Sequence, residues 1–583
     1  EICACLVGSE MCIRDSPEAV KQLEEAIGRG DIVWNSVPYT VESETMTREL
    51  FETCLLLSKR LDKKYNKQTI AAKMTDVPGH TRSIIDPMYD AGIRLLHVGI
   101  NSACPLPSVP TFCRWRSPSG NDLLLVYQKD YGEDEVLPDG KTVVSINFTG
   151  DNHGPHSYER VKKIYADLRK RYPQAQLVGA SFNDVARELL LIKKDLPVVT
   201  SEIGDTWIFG YGGAPIRMAK FRAVSRLYSQ WLNEGKIKKD SDVALDFAAE
   251  LGLIAEHTQG VDVKTHLRQW DKYDMDKFLK GRSEGIFSMA EASWKEIDNY
   301  IDSAIAFLPA SLQKEAREVV AEVDKVKLED NSKMKPMARK RWEQPIAGGM
   351  TLAGLSYQMF DGDDYDDFQN RYLRARYGWA LDDLGKRGLK ESHAVSVTLY
   401  AQTMAQSVRK EKKGTRIITE LRFPENEKVD KRVYPERIQV NCFTTKNGKR
   451  SEVALTIYGK PAVRLPESYW LSFTVPGIES VIAEKMGERV NLMDVVEKGN
   501  RQMHGIDRYV DLITSGETIR ISSKEAFLLN VGEAQGLNYS TNYPDKRKGA
   551  HFNLNNNLWG TNFSMWNEGS LTYHFVIETL NRK

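Results

Sequence analysis

The sequence predicts three consecutive folding units of different class: an α/β unit, a helical unit and a β unit. Three observations support this order. Strand-like and helix-like patterns alternate for about 200 residues after residue 17, helix-like patterns dominate to about residue 330, and short strand-like runs follow from about residue 345. Because the chain has 583 residues, it is also too long for a single hydrophobic core.

We therefore expect a multidomain fold in which a distorted (β/α) barrel is followed by a helical bundle and a C-terminal β-sandwich. The expected boundaries are 17–232 for the barrel-like unit, 233–338 for the bundle and 339–583 for the sandwich domain or domains. Residues 1–16 have no periodicity and resemble translated sequencing-adapter sequence at the ends of metagenomic genes. We interpret them as a non-native leader, which leaves the cellular compartment unassigned.

The first unit is predicted from alternating patterns. "EAVKQLEEAIGRG" and "MTRELFETCLLLSKRLDKKY" have the apolar spacing of helices, whereas "IRLLHVGI" and "DLLLVYQ" are typical of buried strands. "DIVWNSVPY", "TVVSINFT" and "AQLVGAS" are also predicted as strands. Repeated βα units imply a mainly parallel sheet, either open or closed into a barrel.

The later units follow from two changes of pattern. "DFAAELGLIAEHT" and "SMAEASWKEIDNYIDSAIAFL" carry apolar stripes at helical spacing, as in a small bundle. "VSVTLYAQTM" and "SEVALTIYG" are short strand-like runs with turn signals between them, as in a sandwich.

Composition excludes several function classes. The formal net charge is +1 and 41% of residues are hydrophobic, so nothing indicates a basic nucleic-acid-binding face. No apolar run approaches the roughly 20 residues that span a bilayer, and we expect no membrane partner. Outside the leader, the four cysteines are dispersed and predict neither a disulfide framework nor a zinc ribbon.

Polar side chains follow several predicted strands. "KMTDVPGHT" ends a strand at Asp76, and "FTGDNHGPHS" places Asp151 and His153 after another. Carboxyl ends of strands are where ligands and catalytic groups collect in α/β folds. The structural alternative is that Asp76 caps a helix or braces the turn, and that Asp151 is a turn residue beside a surface His153.

Two further motifs contain candidates. "SEIGDTWIFGYGGAP" ends a third predicted strand with Glu202, Asp205 and Trp207, and its glycines do not form a dinucleotide-binding fingerprint. "IAEHTQGVD" is predicted to place His257 inside an apolar helix. A lone helical histidine is more often a core residue than a ligand, so both interpretations of His257 stay open.

Together these segments resemble family 38 glycoside hydrolases, the α-mannosidase type, and are most similar to a divergent bacterial branch. The resemblance rests on "VPYTVESETMTRELF", "MTDVPGHTRSIIDPMYDAGI", "TFCRWRSPSGNDLLLV", "GDNHGPHSYERV", "SEIGDTWIFGYGGAPIRMAKFRAVSRL" and "LIAEHTQGVDVKTHL". It covers roughly residues 20 to 300 at the level of motifs, with weaker support from "NNLWGTNFSMWNEG".

The resemblance implies a zinc-assisted retaining hydrolase acting on an oligosaccharide or glycan. Asp76 would be the nucleophile and Asp151 the acid and base. Asp76 and His257 would bind Zn²⁺, and we expect their carboxylate and ring nitrogen to approach within about 3 to 5 Å. The two other zinc ligands of the family belong to a first strand expected before residue 17, so the resemblance also implies an N-terminally truncated fragment, whose activity the sequence does not predict.

The remaining polar or aromatic residues of these motifs are expected to bind substrate: His80, His153, Glu202, Asp205 and Trp207. Two other functions stay open. One is a non-catalytic carbohydrate-binding protein that uses the sandwich and its tryptophans. The other is a metal-dependent sugar deacetylase, which would need a close Asp–Asp pair and a His-x-x-x-His motif, and the sequence offers neither. Exo or endo action, linkage and oligomeric state are not predicted.

Overall fold

The computed structural model describes residues 16–149, 154–267 and 269–580. Its α-helices are Pro17–Arg29, Arg48–Tyr65, Ile85–Asp90, Tyr158–Arg171, Phe182–Leu191, Pro215–Asn233, Asp242–Leu251, Val263–His266, Met275–Ser283, Ser288–Ala306, Ala310–Asp324, Gly362–Tyr372 and Gly378–Asp383. Short 3₁₀ turns cover Ser43–Thr45, Arg82–Ile84, Lys193–Asp195, Trp207–Gly213, Gly252–Ala255, Ala347–Gly349, Leu389–Glu391, Lys431–Val433 and Lys546–Lys548.

The fold is mixed α/β, with a largely parallel sheet in the first unit. Its five strands run in the spatial order Ala71–Asp76, Leu95–Ile100, Asp122–Lys129, Phe112–Arg116 and Val198–Val199. The first three strands are parallel, Phe112–Arg116 is antiparallel to Asp122–Lys129, and the short last strand is parallel to Phe112–Arg116. The antiparallel pair lies within "TFCRWRSPSGNDLLLV", one of the segments that carry the family resemblance. Closure of this sheet into a barrel stays a prediction.

Both faces of the sheet are covered. Helix Phe182–Leu191 packs on one face, where Val185, Ala186 and Leu189 are buried against apolar strand residues. Helices Arg48–Tyr65 and Ile85–Asp90 lie in the large core on the other face. Strands buried on two faces need apolar residues at consecutive positions, which explains the unbroken runs "LLHVGI" and "DLLLVYQ".

Two predicted helices begin and end as the sequence indicates. Ser16, which we assigned to the leader, is the N-cap of Pro17–Arg29, and its hydroxyl accepts from the amide of Ala19 at 3.3 Å. Gly30 ends that helix with a positive φ of 90°. Thr47 caps Arg48–Tyr65 in the same way as Ser16.

Several predicted strands are wrong or shortened. "DIVWNSVPY" and "AQLVGAS" form no strand, and "TVVSINFT" is reduced to Val143–Val144, which pairs only with Glu135–Val136. The amide of Ser36 donates to Ala71 of the first parallel strand at 3.0 Å, but Pro38 lacks the N–H that would continue this pairing as a ladder. In "AQLVGAS", Val178 is 70% exposed, so its apolar side chain is not buried as in a sheet.

The central part of the chain is helical. Helix Asp242–Leu251 packs on Ser288–Ala306 and on Arg48–Tyr65, so this part is joined directly to the α/β unit. Helix Pro215–Asn233 packs on Ala310–Asp324. The domain boundaries and the bundle itself stay predictions. None of the helices in the described parts of the chain is long and apolar enough to cross a membrane.

Two large antiparallel sheets follow. One contains Gln344–Pro345, Thr351–Met359, Val397–Tyr400, Glu467–Thr474, Met503–Gly505, Leu528–Val531 and Ala550–Asn556. The other contains Lys335–Pro336, Gln402–Lys410, Gly414–Arg422, Arg437–Thr445, Arg450–Lys460, Ile478–Lys485, Glu488–Asn491, Tyr509–Thr514, Thr518–Ser523 and Gly569–Leu580. Rings of Phe473 and Phe552 from the first sheet contact Phe575 of the second, with centroids 5.3 and 5.1 Å apart. The two sheets therefore share a core.

Candidate functional site

Asp76 is the last residue of the first parallel strand, at the edge where strand ends meet. Its φ is +86°, in the left-handed region that non-glycine residues rarely adopt. The following Gly79 has no room for a side chain, because a Cβ there would lie 2.4 Å from the carbonyl oxygen of Ile203. The Asp-Val-Pro-Gly-His sequence therefore turns the chain sharply and lets it pack directly on the segment containing Glu202.

One oxygen of Asp76 is fixed by two donors. The hydroxyl of Tyr131 donates to Oδ1 at 2.6 Å, and the amide of Asn101 donates to the same oxygen at 2.9 Å. The other oxygen, Oδ2, lies 3.3 Å from Nε2 of His257, within the 3 to 5 Å expected. The side chains of Asp76 and His257 are 16% and 12% exposed, so the pair is buried but reachable.

His257 reaches Asp76 from an extended segment, and the predicted helical position is wrong. The helix ends at Leu251 and a 3₁₀ turn ends at Ala255. The backbone then pairs with residues 40–42: the amide of Glu42 donates to Ala255, and the amide of His257 donates to Thr40. Since Thr40 also accepts the amide of Thr75 on its hydroxyl, this pairing brings His257 to the strand end.

Charges around His257 favour the ionised forms of both residues. Burial opposes the charge on His257, but the carboxylate of Glu256, 2.6 Å from Nδ1, and Asp76 outweigh it and raise its pKa to about 10. Burial likewise opposes ionisation of Asp76, yet His257, Tyr131 and Asn101 together lower its pKa below the usual value. The site therefore holds a carboxylate, an imidazolium and a second carboxylate in line.

Tyr131 is a site residue that the sequence did not indicate. It follows strand Asp122–Lys129 in a turn where both Asp130 and Tyr131 have positive φ, 57° and 67°. A Cβ on Gly99 would lie 2.7 Å from the Cα of Tyr131, so only glycine at that position admits the turn. Two glycines could have indicated Tyr131: Gly99 lies within one strand and Gly132 follows the next strand, so together they mark a place where the chain passes close to its neighbour.

His80 is a buried neutral histidine. Nδ1 lies 3.5 Å from the hydroxyl of Ser43, and Nε2 has no hydrogen-bond partner among the described residues. Burial, followed by the positive charge of His257, lowers the pKa of His80 to about 3. His80 therefore lies close to the site and uncharged; its expected contact with substrate stays a prediction.

Glu202 is held entirely by protein groups. It accepts from the hydroxyl of Thr81 at 3.0 Å and the amide of Arg82 at 2.8 Å, and its second oxygen lies 3.2 Å from Nζ of Lys485. Lys485, from the C-terminal β region, also contacts Glu44 at 2.7 Å. Burial and the charge of Glu202 raise the pKa of Glu44, Lys485 lowers it, and the result is about 7. These contacts indicate that Glu202 braces the loop after Asp76, while a substrate contact stays a prediction.

Asp205 and Trp207 lie behind His257. The Trp207 ring is stacked toward the His257 ring with centroids 6.5 Å apart, and its indole N–H contacts Sγ of Cys104 at 3.1 Å. Asp205 accepts from the backbone amide of Trp207 at 2.9 Å. Burial and then the charge of Asp205 raise the pKa of Glu42 well above its usual value, so this adjoining pair of carboxyls holds a proton. No pattern in the sequence indicates that Glu42 is part of the site.

Two expected site residues, Asp151 and His153, lie outside the described residues. The expected Asp76–Asp151 distance is therefore not measured. Among the residues that the structure does describe, no group of three or more His, Cys, Asp or Glu side chains could hold a metal ion. Since catalytic zinc takes three or more protein ligands, Asp76 and His257 do not form a zinc site by themselves.

Comparisons with known proteins place the fold. A family model described as a domain of unknown function (DUF5054) matches residues 212–344. An alpha-mannosidase from Enterococcus faecalis is similar in structure over 99% of this chain and 81% of its own, with a TM-score of 0.58 at 10% identity. A glycosyl hydrolase family 38 protein from Enterococcus faecalis is similar over 98% and 80%, with a TM-score of 0.52 at 9% identity. No curated protein sequence matches the chain. The chain thus has a fold like that of family 38 glycoside hydrolases.

Proposed function

We propose that this chain is a retaining glycoside hydrolase of the α-mannosidase type that cleaves glycosidic bonds in glycans. The observation that carries the proposal is Asp76: an ionised, mostly buried carboxylate at a strand end, with one oxygen held by two donors and the other 3.3 Å from Nε2 of His257. A nucleophilic carboxylate needs this combination of charge and fixed orientation. The fold similarity supports the reaction class.

In the proposed reaction, Oδ2 of Asp76 attacks the anomeric carbon of the sugar. The bond from that carbon to the leaving oxygen breaks, its electron pair goes to the oxygen, and Asp151 supplies the proton. In the second step Asp151 takes a proton from water, the water oxygen attacks the anomeric carbon, and the carboxylate of Asp76 is released. The role of Asp151 rests on the family resemblance.

Three neighbours of Asp76 would prepare it for attack. Tyr131 and Asn101 keep the carboxylate ionised and prevent its rotation, because both donate to Oδ1. When Asp76 loses its charge in the glycosyl-enzyme, His257 keeps a counter-charge in Glu256 at 2.6 Å. The imidazolium is therefore never left as an unpaired buried cation during the cycle.

Zinc is an expectation from the family resemblance alone. Asp76 would supply a carboxylate oxygen and His257 a ring nitrogen 3.3 Å from it, which must first lose its proton to bind a metal. Because two ligands do not complete the site, we assign no step of the reaction to a metal.

The test is hydrolysis of an aryl α-mannoside by the chain and by Asp76→Asn. We expect kcat/KM to fall by at least about a thousandfold in the variant, because the amide is not a nucleophile. Asp246→Asn is the matched control: it changes a carboxylate of helix Asp242–Leu251 that pairs with Arg60 at 2.7 Å, and neither residue is a partner of Asp76. A 2-fluoro glycoside should label Asp76 covalently, and mass spectrometry of the digested chain should find the label there.

Four results would reject the proposal. If Asp76→Asn and the unsubstituted chain had equal turnover, Asp76 would be excluded as the nucleophile. Glycan binding without hydrolysis in either would favour a carbohydrate-binding protein, and release of acetate from an acetylated sugar would favour a deacetylase. A product whose anomeric configuration is inverted in the NMR spectrum would exclude the retaining mechanism.

A further inference from the structure

A second cleft, separate from the Asp76 site, lies where the helical part meets the C-terminal β region. Its volume is about 570 Å³, within the range of small-molecule sites. Its walls are the start of helix Pro215–Asn233, one face of helix Ser288–Ala306, and residues 564–568. None of Asp76, His257 or their direct partners lines it.

Two tryptophans form part of its wall. Trp294 and Trp566 both line the cleft, and their rings meet edge to face with centroids 4.8 Å apart. Trp566 is fixed further by its indole N–H, which donates to Glu291 at 3.2 Å. The two tryptophans are 8% and 5% exposed, so the cleft meets only their ring edges, an apolar strip against which the C–H groups of a sugar ring can pack.

The wall carries as many cations as carboxylates, four of each: Arg217, Lys220, Arg282 and Lys295 against Glu291, Asp298, Asp302 and Glu568. Two of the cations are paired within the wall: Arg217 contacts Asp298 at 2.5 Å, and Arg282 contacts Glu568 at 2.8 Å. Because the charges balance, an ion of either sign gains little net attraction there. The pairs still present several planar hydrogen-bonding groups to a neutral ligand.

Two side chains of the wall remain available for a ligand. Lys295 and Asn299 lie one turn apart on the exposed face of Ser288–Ala306, and neither has a hydrogen bond or ion pair among the described residues. Their spacing of four residues places both over the cleft on the same side of the helix.

We propose that this cleft is a second carbohydrate-binding site, which takes a neutral oligosaccharide of two or three sugar units. Aromatic wall, cancelled charge and available amide and ammonium donors are the features a neutral polyhydroxylated ligand requires. The cleft is also connected to the Asp76 site: Arg217 donates to Gln259 at 3.1 Å, and Gln259 donates to the carbonyl of Glu256 at 2.8 Å. A glycan held there would stay beside the proposed active site between cleavage events.

The experiment is isothermal titration of the full chain with mannotriose, maltotriose and cellotriose, with trigalacturonate and inorganic phosphate as charged probes. The variant Lys295→Ala/Asn299→Ala removes the two available groups without touching the core. Ser303→Ala, exposed on the same helix but outside the cleft, is the matched control. All titrations are repeated in Asp76→Asn, which separates this cleft from the proposed active site.

We expect at least one neutral trisaccharide to bind saturably, to lose about tenfold or more in affinity in the double variant, and to keep its affinity in Ser303→Ala and Asp76→Asn. Circular dichroism and melting temperature of the double variant should match the unsubstituted chain. Binding that is lost in Asp76→Asn but kept in the double variant would overturn the proposal. Binding of only the charged probes, or of no trisaccharide, would also overturn it.

Discussion

Two buried lysines provide a test in which the same substitution should have opposite effects. Lys485 lies between two carboxylates, 2.7 Å from Glu44 and 3.2 Å from Glu202. Lys386 is also buried, but its Nζ contacts only Sδ of Met565 at 3.0 Å and the carbonyl of Trp559 at 3.5 Å. Each is replaced by methionine, which keeps the length of the side chain and removes the charge.

The free-energy change for Lys386→Met follows from its pKa. Burial, helped by the charge of Arg464, lowers the pKa of Lys386 from 10.5 to about 7. At about 1.4 kcal/mol per pKa unit, a buried charge there costs up to about 5 kcal/mol below pH 7. The unfolded chain keeps this proton up to its pKa of 10.5, so the group makes stability rise with pH between about 7 and 10.5. Lys386→Met should stabilise most at pH 6 and not at all above about pH 10.5.

Lys485→Met should destabilise by about 3 to 5 kcal/mol at pH 7, because it leaves Glu44 and Glu202 buried without their cation. Lys314→Met, at an exposed position, is the control and should change little. Thermal and urea unfolding of all three variants at pH values from 6 to 10.5 measures the differences. The reasoning would be refuted if Lys386→Met and Lys485→Met changed the free energy of unfolding in the same direction at pH 6. It would also be refuted if the effect of Lys386→Met on that free energy did not depend on pH.

Three further predictions concern the site. Tyr131→Phe should raise the pKa of Asp76, so the acidic limb of the kcat/KM profile should move to higher pH; an unmoved limb contradicts the assigned hydrogen bond. Gly99→Ala should lower the melting temperature and activity together, since its Cβ would collide with the backbone of Tyr131, while Gly516→Ala is the control at an uncrowded glycine without a positive φ. Zinc titrated into the chain should bind weakly, through Asp76 and His257 only, and His257→Gln should abolish the calorimetric signal.

The strand ending at Asp76 was predictable because local pattern determines it. An apolar run buried on two faces, followed by Pro-Gly, predicts a strand and a turn, and the structure has both. The proximity of Asp76 and His257 was expected only from the family resemblance. No local sequence pattern predicts this proximity, because it depends on backbone pairing between residues 40–42 and 255–257.

The sequence did not predict Tyr131, Glu42 or Glu44 as site residues, and the three omissions have a common physical cause. Tyr131 reaches Asp76 through two consecutive positive φ angles, which neither Asp130 nor Tyr131 indicates by type. Glu42 and Glu44 lie in a segment whose polar residues predict a solvated loop, yet both are buried against other charged groups. Burial of a carboxyl is determined by its distant partners, and a single sequence does not show which residues those are.

The C-terminal β region also determines the geometry of the proposed site. Arg82, at the turn after Asp76, contacts Glu488 at 2.9 Å and Asp494 at 3.0 Å. Lys485 from the same region neutralises Glu202, which holds the amide of Arg82. The loop that follows the proposed nucleophile is therefore attached on both sides to the β region, by contacts that are buried or partly buried. Since a displacement of about 1 Å in a catalytic group can cost a hundredfold in rate, this attachment would let the β region hold the proposed nucleophile in position without supplying a reacting group itself.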